Sequence, residues 1–127
     1  MNPKFKSKDK LVEGSVVKLD ECQRMAVETA IYPGQCGFAG KIYCALKLNG
    51  EAGEVAEKIG KAIRDDGSVI APERRADLKK EFGDVLWHLA NLAAEFGFSL
   101  SDIASENISK TTDRKARGAL KGSGDNR

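Results

Sequence analysis

Apolar residues in this chain recur at three- and four-residue intervals and nowhere alternate over any length, a pattern that predicts helices and no strands. Asp20 offers an N-cap for a first helix reaching about Ile31, burying Met25, Ala26 and either Ile31 or Tyr32, with Pro33-Gly34 as its stop. After a glycine-punctuated loop the periodicity resumes from about Lys41 to Asp65 and is closed by Asp66-Gly67. Pro72 stands where a first helical residue belongs, and a third helix follows to about Phe96, ended by Gly97. Ser99 and Ser101 offer caps for a fourth, from about Leu100 to Arg117. Four helices on short to moderate loops predict an all-α fold, a four-helix bundle or a pair of helical hairpins, forming a single domain over 1–127. Residues 1–18, lysine-rich and aperiodic, read as a loosely ordered basic arm, and 118–127, rich in Gly, Ser, Asp and Asn, as a flexible tail.

The third helix has unusual proportions. At 100° per residue, Glu81, Asp84, His88, Asn91 and Glu95 fall within an arc of about 80°. Leu78, Phe82, Val85, Leu86, Leu89, Leu92 and Phe96 fill one flank, and Gly83, Trp87, Ala90 and Ala94 the other. A helix apolar over most of its circumference belongs at the centre of its assembly, with the acid strip facing either a cleft or an internal cavity. In so small a chain, that circumference also predicts a second copy covering part of it. In the second helix, Ala52, Val55, Ala56, Ile59 and Ile63 form the predicted core face, with Glu51, Glu54 and Lys58 along a neighbouring edge. Gly50 and Gly53 beside these acids each cost about 1 kcal/mol relative to alanine in a helix, which predicts close approach of a helix or ligand.

The chemistry lies in two carboxylate pairs, Glu51-x-x-Glu54 and Glu81-x-x-Asp84. Each pair occupies one edge of a helix, about a turn apart. Four such groups on facing helices repel unless a cation sits among them, and all-oxygen donors suit a hard ion such as Mg²⁺. Other classes fall away on composition. A net charge of +2 gives no ground for nucleic-acid or membrane binding. Three cysteines without a C-x-x-C, and a single histidine, argue against structural zinc and fit a reducing cytosol. A dimetal oxygen-activating bundle needs Glu-x-x-His on two helices, which His88 does not supply. No apolar run approaches a membrane span and no signal peptide opens the chain, so a cytoplasmic location is expected.

At Gly50-Glu-Ala-Gly-Glu-Val-Ala-Glu57 and Glu81-Phe-Gly-Asp-Val-Leu-Trp87, with Asn107, Lys110 and Arg114 downstream, the chain resembles the MazG-like all-α nucleoside triphosphate pyrophosphohydrolases. The likeness runs from about Asp20 to Gly118. It implies Mg²⁺-dependent hydrolysis of a nucleoside triphosphate between the α- and β-phosphates, giving monophosphate and pyrophosphate by attack of metal-activated water. Mn²⁺ is a possible substitute. Glu51, Glu54, Glu81 and Asp84 would be the metal ligands and catalytic groups, with Glu51 or Glu54 as the base. Asn107, Lys110 and Arg114, at i, i+3 and i+7, share a face and would bind substrate, the two cations clasping the β- and γ-phosphates. The family further implies a homodimer or homotetramer, the bundle being completed by dimerisation. His88 reads as a packing or supporting residue and Trp87 as core or subunit interface. Gln23, Phe38 and Lys47 are candidates for the base pocket. One departure stands out: the family's leading glutamate falls at Gly50. That glycine keeps open a second reading, a non-catalytic helical interaction or regulatory module with acidic surface stripes.

Overall fold

The computed structural model of the chain describes residues 16–126, so most of the predicted arm over 1–18 lies outside the described residues. Four helices follow in order: α1 Leu19–Glu28, α2 Phe38–Asp65, α3 Pro72–Glu95 and α4 Leu100–Ala116. No strand occurs among the described residues.

The fold is organised by an antiparallel hairpin of α2 and α3, its most extensive packing. Cys44, Leu48, Glu51, Val55, Lys58 and Ala62 on α2, and Arg74, Leu78, Glu81, Val85, His88, Leu92 and Glu95 on α3, are all buried or half-buried. Their spacing alternates four and three, the heptad stripe of a coiled-coil seam. This seam corrects the predicted core face of α2. Ala52 and Ala56 are exposed, Ile63 is 61% exposed, and Val55 alone of that set is half-buried. On α3, likewise, Phe82, Leu86, Leu89 and Phe96 are exposed while Leu78 is buried. Helix α2 turns a partly charged stripe to its neighbour and leaves its more apolar flank open, so hydrophobicity alone pointed the wrong way.

Helix α1 lies antiparallel on the other flank of α3, where Ala26 packs with Ala90, Ala93 and Leu100, and Trp87 closes over them. Its key contact is polar. Gln23, fully buried, donates through Nε2 to the carbonyls of Ala90 (3.1 Å) and Phe98 (2.9 Å), and its Oε1 accepts from the Leu100 N–H (3.0 Å). One amide thereby ties α1 to the end of α3 and the start of α4, and nothing of it is left to line a base pocket. Asp20 does not cap α1, whose N-cap is Lys18; its carboxylate instead accepts from Ser101 N–H at the start of α4. Ser99 does cap α4, its Oγ accepting from Asp102 N–H at 3.1 Å. Helix α3 ends in a Schellman turn: Gly97 takes φ +74°, its N–H reaches the Ala94 carbonyl, and Phe98 N–H reaches Ala93.

The α1–α2 loop is anchored on α3. The Glu95 carboxylate accepts from the Tyr32 hydroxyl (2.7 Å) and the Cys36 N–H (2.9 Å), while Ile31 turns outward. Gly40 permits this, since a Cβ there would stand 2.6 Å from the Gly34 carbonyl and 2.8 Å from a Glu95 oxygen. Burial, then the contacts with Cys44 and Glu95, push the Tyr32 hydroxyl far above its ordinary pKa. Helix α4 packs mainly on α1 through its first turn, and its residues 105–113 are exposed on every side.

Candidate metal and nucleotide site

The acids enter the structure through the α2–α3 seam. Glu51 and Glu81 occupy seam positions, and Asp84 lies one turn from Glu81 at its edge. One oxygen from each of Glu51, Glu81 and Asp84 lies within 4.8 Å of the others, the group of acids that converges among the described residues. Glu54 is exposed and stands outside this group. Two lysines partner the acids: Lys47 Nζ meets Glu51 at 3.0 Å and Lys58 Nζ meets Glu81 at 3.2 Å across the seam. Lys47, a base-pocket candidate, is thus a counter-ion of the cluster, and Phe38 is 77% exposed.

The donor set fits a divalent cation. An octahedral Mg²⁺ shell at about 2.1 Å holds its oxygens roughly 3 Å apart when adjacent and 4 Å when opposite. The three carboxylates therefore need to close by up to about 2 Å, a shift that side-chain torsions can supply. His88, buried behind them, engages the Asp84 carbonyl through Nδ1 at 2.9 Å and lies 3.9 Å from Glu51. That is the supporting position expected of it. Asn91, next along the same strip, donates to Ala26 and Trp87 carbonyls, and its Oδ1 is buried with no donor. Trp87 donates to Thr29 Oγ1 at 2.9 Å and belongs to the α1–α3 core. Glu95, the last acid of the predicted strip, serves the loop anchor and not the cluster.

Gly50 and Gly53 do not mark a close approach within the chain, because a Cβ at either would meet nothing within 4 Å. The departure at Gly50 therefore leaves the three converging acids undisturbed. The substrate-binding face predicted on α4 stays apart from them. Asn107 and Lys110 are exposed and Arg114 is buried, on a helix that packs chiefly against α1. Among the described residues, no hydrogen bond or ion pair joins these residues to the acids. Sequence reasoning had no means to see Gln23 as a clasp, since a glutamine on a short amphipathic helix carries no distinguishing signal. The heptad spacing through Glu51 and Lys58 was a signal that could have placed the acids in the seam.

The MazG nucleotide pyrophosphohydrolase domain profile matches residues 42–118, which takes in α2 from Ile42 onward and all of α3 and α4. The chain belongs to the MazG family. A relative, the Gene 37 protein of Mycobacterium phage L5, is 46% identical over 112 residues, covering 86% of this chain and 98% of the relative. No solved structure gives a significant match. The all-α MazG architecture accords with the four helices found here. The acid pairs of the MazG domain thus fall on its two central helices, where three carboxylates could hold a metal ion. Among the described residues, no helix of this MazG protein is long and apolar enough to cross a membrane.

Proposed function

We propose that the protein is a Mg²⁺-dependent nucleoside triphosphate pyrophosphohydrolase, cleaving between the α- and β-phosphates to release a nucleoside monophosphate and pyrophosphate. The observation that carries this reading is the convergence of Glu51, Glu81 and Asp84 within 4.8 Å in a MazG domain. Bound Mg²⁺, or Mn²⁺ in its place, would neutralise phosphate charge and acidify a water molecule. Glu51, Glu81 and Asp84 would hold the ion, and Glu54, exposed one turn from Glu51, would be the fourth carboxylate available to it. Glu51 or Glu54 receives the proton from the attacking water, and His88 keeps the backbone at Asp84 in place through its ring nitrogen. Lys47 and Lys58, which neighbour these carboxylates, would be placed to face the phosphates once a cation neutralised the acids.

Asn107, Lys110 and Arg114 supply the substrate-binding groups. Because α4 does not meet the acids of its own chain, they act on those of a second copy. The apolar flank of the hairpin supports such an assembly: Ile59, Ile63, Phe82, Leu86 and Leu89 lie exposed on two adjacent helices. A homodimer burying this flank, or a tetramer of two such dimers, completes a four-helix core from two hairpins. The protein has no strong positive field, and nucleotides rather than nucleic acid are its substrates.

The test is a panel of common ribo- and deoxyribonucleoside triphosphates with Mg²⁺, read for monophosphate and pyrophosphate together. The expected result is equimolar release that stops with EDTA and in Glu81→Gln. Turnover that persists in Glu81→Gln, or no turnover of any triphosphate with either ion, would overturn the reading.

A further inference from the structure

The C-terminal segment turns back onto α4. A second Schellman turn starts it, with Gly118 at φ +68°, its N–H on the Lys115 carbonyl and Ala119 N–H on the Arg114 carbonyl at 2.7 Å. Gly122 and Gly124, at φ +114° and +80°, bend the chain again. The strap so formed lays Asp125 across the basic face. Arg114 Nη2 donates to Asp125 Oδ1 at 3.0 Å, to its carbonyl at 2.8 Å and to the Gly124 carbonyl at 3.4 Å. Lys110 Nζ donates to the same Oδ1 at 3.3 Å. Residues 105–113 and 115–118 are all exposed, yet the Arg114 side chain is 7% exposed, and its guanidinium meets Gly124 and Asp125 of the strap.

These are the two cations assigned above to the phosphates. A carboxylate held by an arginine and a lysine at once presents the same anionic acceptors as a phosphate oxygen. We propose that the strap is a built-in competitor: Asp125 occupies the phosphate position on Lys110 and Arg114, and substrate or pyrophosphate must displace it to bind. The inference rests on the reading of Lys110 and Arg114 as the phosphate clasp. The Arg114 and Lys110 contacts hold the Asp125 carboxyl below the usual carboxylate range, so its charge is present at neutral pH. Being tethered, it competes at an effective concentration that a free anion has to exceed. Being 80% exposed and singly charged, it yields to a ligand carrying several charges. The competition is therefore modest, worth about two- to fivefold in affinity.

The experiment titrates full-length protein with pyrophosphate in metal-free buffer, followed by NMR of the backbone amides, for the native chain, Asp125→Asn, Asp125→Lys and Lys110→Ala. The native Gly124 and Asp125 amides should shift as pyrophosphate displaces the strap. Asp125→Asn and Asp125→Lys should bind about two- to fivefold more tightly, with triphosphate KM lowered and kcat unchanged. Equal affinity in the native and Asp125 variants, with Lys110→Ala still weakening binding, would overturn the strap and leave the clasp intact. Unchanged affinity in Lys110→Ala would overturn clasp and strap together.

Discussion

Asp84→Asn separates a metal ligand from a structural acid by the sign of its effect. Without metal, Asp84 stands within 4.8 Å of Glu51 and Glu81, where like charges repel by about 0.9 kcal/mol per pair even at the dielectric of water. Lys47 and Lys58 offset part of this, and salt screens more. Removing the Asp84 charge should therefore stabilise the metal-free protein by roughly 0–1 kcal/mol. For a chain of this length, 1 kcal/mol moves Tm by about 4 °C. With Mg²⁺ at a hundredfold excess over its Kd, the native protein should gain about 2.7 kcal/mol, a rise of about 10 °C. The assay is thermal unfolding at fixed protein concentration, with Mg²⁺ and with EDTA. The variant should melt at or slightly above the native protein in EDTA and lose most of the Mg²⁺ shift. A fall of several degrees in EDTA, or a Mg²⁺ shift retained in full, would refute the assignment.

Three further outcomes follow from the structure. Gln23→Leu removes three hydrogen bonds that tie α1 to Ala90, Phe98 and Leu100, and should cost about 3 kcal/mol in urea unfolding; a loss under about 1 kcal/mol would mean that the clasp does not hold α1. Burial pushes the Cys44 thiol above its ordinary pKa, so at mildly alkaline pH an alkylating reagent should label exposed Cys36 and spare Cys44 until the protein unfolds. By linkage, the stability Cys44 contributes is full below the ordinary thiol pKa and is lost as pH rises through the raised value, so a rise in stability over that window would contradict its burial. If the hairpin flank forms the proposed dimer, Phe82→Glu should leave the protein monomeric in sedimentation with helical content kept, whereas a native chain that is already monomeric, or a variant that still associates, would rule out that interface.

The helix ends were legible because backbone chemistry marks them. Pro72, Gly97 and Ser99 each do locally what their residue type permits, and the structure differs there by a residue or so. What faces inward was much less legible. The seam admits Glu51, Lys58, Glu81 and His88, while Ile63, Phe82 and Leu86 remain uncovered in one chain. A reading by hydrophobicity presumes that the most apolar flank is the buried one, which fails where a further surface is needed to cover it. Glu95 illustrates a related limit: its place on the acid strip was right, but a tyrosine and a loop N–H from a distant stretch of sequence claimed it.

The four-three alternation of the hairpin seam carries a consequence for how this protein can change. Adding one residue inside α2 or α3 would rotate everything beyond it by about 100°, swinging one acid out of phase with the others. An extra residue in the segment between Asp65 and Pro72 rotates neither helix against itself and is absorbed by the turn. Length variation should therefore collect at that connection, while the distance from Glu51 to Lys58, and from Glu81 to His88, is held by a ratchet with no half-steps.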